Sequence, residues 1–396
     1  MTSRKQTILI IGGGGSGVAV ASSLSQSLDA TKFSVQLVTE RSFQIFYPAM
    51  LRAVTTSVGN FDELALNPYD KLFAPGKPGE VIVGTITSVE DGVAHLSDGR
   101  TLPYDYLVLA TGTIWEGPLA FPLEREQVRE WINDWHSRLS NSKSVVVIGG
   151  GAVGIEMSGE INHFIPNTKV TLVHAESQLL NSAYPDKYRR AILKAVEAKG
   201  ITVYLKDRAS APTGEYTSIT TENGVQIEAD VVITVRGGKI NTSFLKTFDS
   251  SILTSKGHVK VLKTLQVPLH NGKTNVFAIG DIIDWPEQKT LSKIPTQAAV
   301  VSANILSAIK GSPGKQEYKG FMEAIVIPLG PTGGRGYLPF LWGLILGDFL
   351  VKKLKGETMF VKEARKALVA PQPSFLTTVV ESLKVKYLAF RSSLPF

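Results

Sequence analysis

Aliphatic and β-branched runs recur along the chain in a fixed relation to glycine. Thr7-Ile8-Leu9-Ile10-Ile11 is continuous rather than alternating, the pattern of a strand buried on both faces, and it stops at Gly12-Gly13-Gly14-Gly15-Ser16-Gly17. Small and helix-favouring residues fill 18–28, so the segment predicts strand, glycine turn and helix. A second run at 33–38 predicts the next strand and leads into Thr39-Glu40-Arg41. The unit then repeats. Ser144-Val145-Val146-Val147-Ile148 runs into Gly149-Gly150-Gly151-Ala152-Val153-Gly154, a helix through Glu156 and Glu160, and a strand over 169–173 that ends at His174. Three further runs read as returning strands: 104–109 before Ala110-Thr111-Gly112, 229–235 before Arg236-Gly237, and 274–279 before Gly280-Asp281.

In the G-x-G-x-x-G spacing the first glycine allows a tight turn, the second lets the backbone approach a pyrophosphate, and the third lets helix pack closely on strand. Gly12, Gly14 and Gly17 hold that spacing, and Gly149, Gly151 and Gly154 repeat it, which predicts two dinucleotide sites. Glu40 stands about twenty residues past the first loop, where an acid bonds a ribose diol. The equivalent place in the second unit is His174, followed by Ala175 and Glu176, so weak discrimination between NADH and NADPH is expected. Asp281, delivered by a strand at a glycine turn, can accept a hydrogen bond from a ribityl hydroxyl of FAD. A helix over 295–309 would point its N-terminal dipole at the flavin pyrimidine. The expected fold class is α/β: two Rossmann-like dinucleotide-binding domains, as in glutathione-reductase-like flavoproteins, plus a smaller C-terminal α+β domain. The boundaries are drawn at 1–113 with 254–320, at 114–253, and at 321–370, with a tail over 371–396.

Composition narrows the chemistry. With 43% hydrophobic and 19% charged residues, a chain of 396 residues folds into more than one core. Cysteine is absent, which excludes disulfides, thiolate nucleophiles, iron–sulfur clusters and thiolate zinc sites, and no metal site is expected. The net charge of +7 suits an anionic membrane or nucleic acid, or only solubility. No signal-peptide pattern precedes residue 7, so a cytoplasmic start is expected.

The order of glycine loop, Ala-Thr-Gly, second glycine loop and Gly-Asp is that of flavoproteins with two dinucleotide-binding domains. Within them, GGGAVGIEMSGE at 149–160, Val173-His174, Gly238-Lys239-Ile240-Asn241 and NVFAIGD at 275–281 resemble the AIF-like ferroptosis-suppressor group, also called the mitochondrion-associated inducer-of-death group. The likeness runs from about residue 7 to residue 366. It implies an NAD(P)H:quinone oxidoreductase that passes a hydride from NADH or NADPH to FAD and two electrons to a quinone or other small-molecule acceptor. It places FAD on Gly12, Gly13, Gly14, Gly15, Ser16, Gly17, Glu40, Arg41, Arg52, Val83, Ala110, Thr111, Gly112 and Asp281, with Arg52 as a cation for the pyrophosphate. The second coenzyme falls on Gly149, Gly151, Ala152, Val153, Gly154, His174 and Gly237. Glu156, near the nicotinamide and flavin, and Lys355, near the flavin or acceptor, are the implied catalytic residues. The residues themselves leave both roles open: an acid two positions past Gly154 also complements a helix dipole, and a lysine in Lys352-Lys353-Leu354-Lys355 also suits a solvated face. Reduction of a ferredoxin-type protein or of a small aromatic metabolite is a competing function. A non-catalytic nucleic-acid-binding or cell-death factor ranks below these, because charge is a generic signal.

Two C-terminal segments bear on the acceptor. The apolar stretch 337–347, about eleven residues, is too short to cross a bilayer; it reads either as a cover and tunnel for a quinone or as a core helix. Beyond Pro371-Gln372-Pro373, apolar residues at 376, 379, 380, 383, 387 and 390 keep helical spacing beside basic ones. That helix would anchor the protein peripherally on a membrane, lipid droplet or mitochondrial outer surface, or dock on its own domain or on a second subunit of a homodimer. Some members of the group carry a myristoylated glycine after the initiator methionine, where this chain has Thr2.

Overall fold

The computed structural model describes residues 4–339 and 343–369. Strand β1 (Gln6–Ile11) enters helix α1 (Gly15–Ser27) through the first glycine loop and pairs in parallel with β2 (Phe33–Thr39), Gln6 opposite Phe33 and Ile11 opposite Val38. After the short helix α2 (Tyr47–Ala53) come β3 (Glu80–Val83), a three-stranded antiparallel meander, and β4 (Tyr106–Leu109) on the other side of β1. Ile8, Leu9 and Ile10 are fully buried, which explains the unbroken apolar run: both faces of this sheet are covered.

The second sheet repeats the plan. Strand β5 (Ser144–Ile148) turns into helix α3 (Ala152–Phe164), and β6 (Lys169–His174), β7 (Thr202–Leu205) and β8 (Val231–Thr234) complete a parallel sheet in the order β7-β6-β5-β8. The chain then returns to the first sheet, where β9 (Val276–Ala278) pairs with β4 and gives the order β9-β4-β1-β2-β3. The outward and return crossings pair with each other, Thr113 opposite Ile240. Helix α4 (Ile294–Ile309) then packs along α1.

The return strands are shorter than the apolar runs suggested, for a reason found in both units. Asp105, before β4, accepts from the Thr7 amide at 2.7 Å, and Asp230, before β8, accepts from the Lys143 and Ser144 amides at 2.7 and 2.9 Å. In each case the carboxylate takes the place of a ladder bond and ends the strand.

A third, antiparallel sheet contains β10 (Ile325–Pro328), β11 (Gly334–Leu338) and β12 (Leu344–Leu346). The core-helix reading of 337–347 is therefore corrected: Tyr337 and Leu338 lie in one strand and Leu344–Leu346 in the strand paired with it. Helix α5 (Asp348–Val351), a π-helical turn (Lys352–Gly356) and helix α6 (Val361–Val369) follow. One apolar cluster joins α2 to one face of the second sheet and to the third sheet, through residues such as Met50, Val147, Met157 and Ile327. The fold is thus α/β with two parallel sheets and a smaller C-terminal unit. The tail helix expected over 371–396 lies outside the described residues.

Candidate functional site

The two glycine loops share their construction. Gly12 and Gly149 have φ of +117° and +124°, and a Cβ on either would collide with a return-strand carbonyl, that of Ala110 or Val235. Gly17 and Gly154 pack so closely on the carbonyls of Gly12 and Gly149 that a side chain would push helix from strand. Gly14 and Gly151 face nothing within 4 Å, and neither following helix has a side-chain cap or an acid in its first turn. The helix-terminal amides are left for an anion.

A continuous cavity of about 1460 Å³ opens from the first loop. Gly12, Gly13, Gly14, Gly15 and Ser16 form its floor, Glu40 and Arg41 one end, and Ala110, Thr111 and Gly112 a side. That volume exceeds the usual small-ligand site and suits an extended dinucleotide with a second ring beside it. Arg41 is oriented by bonds from Nε to the Pro122 carbonyl (2.9 Å) and from Nη2 to the Phe121 carbonyl (2.6 Å). Asp281 also faces the cavity; Thr113 Oγ1 donates to its Oδ2 at 3.3 Å, and burial pushes its pKa up. A buried carboxylate with so little compensation is suited to a ligand hydroxyl. Helix α4 meets α1 here, with Ile294 against Gly15, so two helix N-termini converge. Open amides, a carboxylate for a polyol and a long cavity fit FAD.

Three FAD or coenzyme positions need correction. Arg52 does not reach the cavity: its side chain is 2% exposed, and Nε and Nη2 donate to Glu160 Oε2 and Oε1, both at 2.8 Å. Val83 is 45% exposed and sits outside the cavity, whose wall continues instead through Gly84 and Thr85. His174 turns its ring to the second loop, where Nδ1 accepts the Gly150 amide at 3.1 Å, and its Nε2 is buried without a partner. A Cβ on Gly150 would strike this ring, so His174 shapes the loop rather than reaching outward. Of the second loop, Ala152 and Val153 line the cavity, whereas Gly149, Gly151 and Gly154, and Gly237 past the return strand, do not.

The two expected catalytic residues meet. Lys355 Nζ, on the π turn, donates to Glu156 Oε1 at 2.5 Å and to the Val326 carbonyl at 3.3 Å, and both side chains line the cavity. Glu156 is the fifth residue of α3, past its first turn, so dipole complementation does not explain it. The side chains are 6% and 11% exposed. Burial pushes the Glu156 pKa up, Lys355 opposes that shift, and Glu160 adds to it. The solvated-face reading of Lys355 is overturned as well.

The sequence reading missed Lys289. It lines the cavity, its Nζ donates to the Trp285 carbonyl at 3.0 Å, and burial lowers its pKa. The charges of Glu287, Asp281 and Asp284 oppose that shift. The one available signal was a lysine between the Gly-Asp turn and the helix behind it, which no periodicity marks out. Tyr69, whose hydroxyl donates to the Gly13 carbonyl at 2.6 Å, was missed for the same reason.

Comparison with known proteins accords with this construction. The family model for pyridine nucleotide-disulphide oxidoreductases matches residues 6–301. The FAD-dependent oxidoreductase FVFD30 of Flammulina velutipes is 39% identical over 310 residues, 77% of this chain and 96% of that one. Apoptosis-inducing factor homolog B of Dictyostelium discoideum is 31% identical, covering 94% and 99%. Ferroptosis suppressor protein 1 of Homo sapiens is 28% identical, covering 92% and 96%. The solved sulfide:quinone oxidoreductase of Aquifex aeolicus has the same fold, with a TM-score of 0.76 at 17% identity and 95% of each chain covered. By sequence over most of its length, the chain belongs to the pyridine nucleotide-disulphide oxidoreductase family, among the apoptosis-inducing factor homologs and ferroptosis suppressors, as a flavoprotein oxidoreductase whose coenzymes are FAD and NAD(P)H.

Proposed function

We propose that this flavin-dependent oxidoreductase reduces a quinone at the expense of NAD(P)H. One observation carries the reading: a single cavity runs from the first glycine loop, past the Glu156–Lys355 pair, to an apolar wall formed by Ala324, Ile325, Val326 and Leu338 of the third sheet and its approach. Bound FAD would accept a hydride from NAD(P)H and deliver two electrons to the acceptor. The chain's own residues supply position and protons. The loop amides would hold the pyrophosphate of FAD, and Asp281 its polyol. Reduction of a quinone also takes up two protons, and Glu156 Oε1 with Lys355 Nζ can hold and hand on a proton at the cavity wall. The apolar wall suits the ring and tail of a lipid quinone. Since the chain has no cysteine, electrons cannot pass through a thiol pair of its own.

The test is a steady-state acceptor screen with NADH and NADPH on the purified, flavin-loaded protein. Turnover with a soluble quinone analogue above that with ferredoxin or oxygen is the expected result; a preference for the protein acceptor would refute the proposal. No helix among the described residues is long and apolar enough to cross a membrane. Access to a lipid quinone would then come through the amphipathic segment 371–396, holding the protein peripherally on a cytoplasmic membrane surface. Deleting that segment should abolish co-sedimentation with anionic liposomes, and unchanged binding would rule out the anchor.

A further inference from the structure

Helix α3 carries two buried carboxylates one turn apart, and each is held by a cation from a distant part of the chain. Lys355 holds Glu156; Arg52, on α2, holds Glu160 with two parallel bonds of 2.8 Å. The third guanidinium nitrogen, Nη1, directs an N–H at the carbonyl of Glu357, 3.4 Å away. Glu357 closes the π turn that carries Lys355, its amide bonded to the Lys352 carbonyl at 3.0 Å. One guanidinium therefore spans helix α3 and the turn. Its own place is fixed by the rings of Phe61 and Phe164, whose centroids lie 5.0 and 5.7 Å from its carbon.

The turn needs such a fastening. A π turn is a wide, uncommon form of helix, and the backbone just beyond it is strained: Met359 and Phe360 have φ of +47° and +62°, in the left-handed region that side chains disfavour. Such a conformation persists only where the surroundings over-determine it. Tight packing of Gly356 against the Pro331 carbonyl, where a Cβ would lie 3.1 Å away, is one constraint. The Arg52 bond to the Glu357 carbonyl is another, and it comes from the element that also fixes Glu160.

We infer that Arg52 is a positioning residue, whose guanidinium locks the π turn onto helix α3 and thereby sets the reach of Lys355 Nζ to Glu156. The inference rests on the reading of Glu156 and Lys355 as the working pair. Lysine at position 52 would neutralise Glu160 but lacks the planar fork that serves a carboxylate and a carbonyl together. Arg52→Met alone strands a buried carboxylate and is expected to fold poorly, so the informative variants are Arg52→Lys and the double variant Arg52→Met/Glu160→Leu.

The experiment is amidination of the flavin-loaded protein with methyl acetimidate, read lysine by lysine by mass spectrometry. Lys352 and Lys353, 40% and 46% exposed, serve as internal references for Lys355 at 11%. In both variants Lys355 should be modified about tenfold faster than in the wild type while the references keep their rates. The kcat for quinone reduction should fall about tenfold with KM for NADH within about twofold. Protection of Lys355 equal to that of the wild type, or an unchanged rate despite its exposure, overturns the inference. Lys355→Met separates the two claims. If it leaves turnover unchanged, the pair is not the working pair and both fall. If it slows turnover while the Arg52 variants leave Lys355 protected, the positioning role alone falls.

Discussion

Replacing Lys355 by methionine removes the ammonium and keeps an unbranched chain of similar length, so the variant isolates the charge. Glu156 is then a buried carboxylate whose closest cation has gone, and it has two courses: to stay ionised at high cost or to take up a proton. The second sets the ceiling. Protonating a carboxyl of ordinary value 4.5 costs about 3.4 kcal/mol at about pH 7 and about 1.4 kcal/mol at about pH 5.5. Without Lys355 the folded-state pKa of Glu156 rises further above that ordinary value. Its contribution to stability is complete below the unfolded value of 4.5 and is lost as pH climbs toward the raised folded value. Because the wild type already bears part of this cost, the variant should be less stable by at most about 3 kcal/mol at neutral pH and at most about 1 kcal/mol at about pH 5.5. Thermal midpoints read by flavin fluorescence would show a gap of at most about 6 °C narrowing to at most about 2 °C, at roughly 2 °C per kcal/mol for a chain of this size. A gap that is constant, or that widens as the solution is acidified, would refute the claim that Glu156 is a buried acid restrained by Lys355.

Three other outcomes follow from the same geometry. Gly14→Ala meets no protein atom, so the thermal midpoint of the apoprotein should stay within about 2 °C while FAD affinity, measured by fluorescence quenching, falls at least about tenfold; unchanged affinity would mean that the pyrophosphate does not lie on that loop. Lys289→Met removes a half-buried cation from the cavity and should weaken retention of a bound dinucleotide about tenfold, without lowering apoprotein stability, in equilibrium dialysis. NADH and NADPH should reduce the flavin at rates within about a hundredfold, since no acid stands at the end of β6; a larger ratio, above about 3 kcal/mol, would reveal a selecting residue elsewhere.

Both parallel sheets were legible because the apolar runs are unbroken and each ends in a glycine loop that allows one construction. Residues such as Ile8 and Val146, buried on both sides of a sheet, leave little choice of environment. The Glu156–Lys355 contact was not legible from spacing, since 199 residues separate the partners; family resemblance named both residues, and the structure supplied the bond. Arg52 shows the opposite case. The apolar run Tyr47-Pro48-Ala49-Met50-Leu51 before it fits the burial seen, but burial does not name the partner, and Glu160 lies 108 residues away. For His174 the strand end was right and the direction of the ring was not, because side-chain orientation depends on the neighbouring loop, here the Gly150 amide. The stretch around Tyr337 has the apolar content of either helix or strand, and pairing with β10 and β12 decides between them.

The most direct measurement is a single-turnover experiment without oxygen. The flavin-loaded protein is bleached with one equivalent of NADH and mixed with a short-chain quinone. The oxidised flavin band should return with formation of one quinol per flavin, at a rate no slower than steady-state turnover. A flavin that stays bleached in the presence of quinone, yet recovers with a protein acceptor or oxygen, would contradict quinone reduction by this protein.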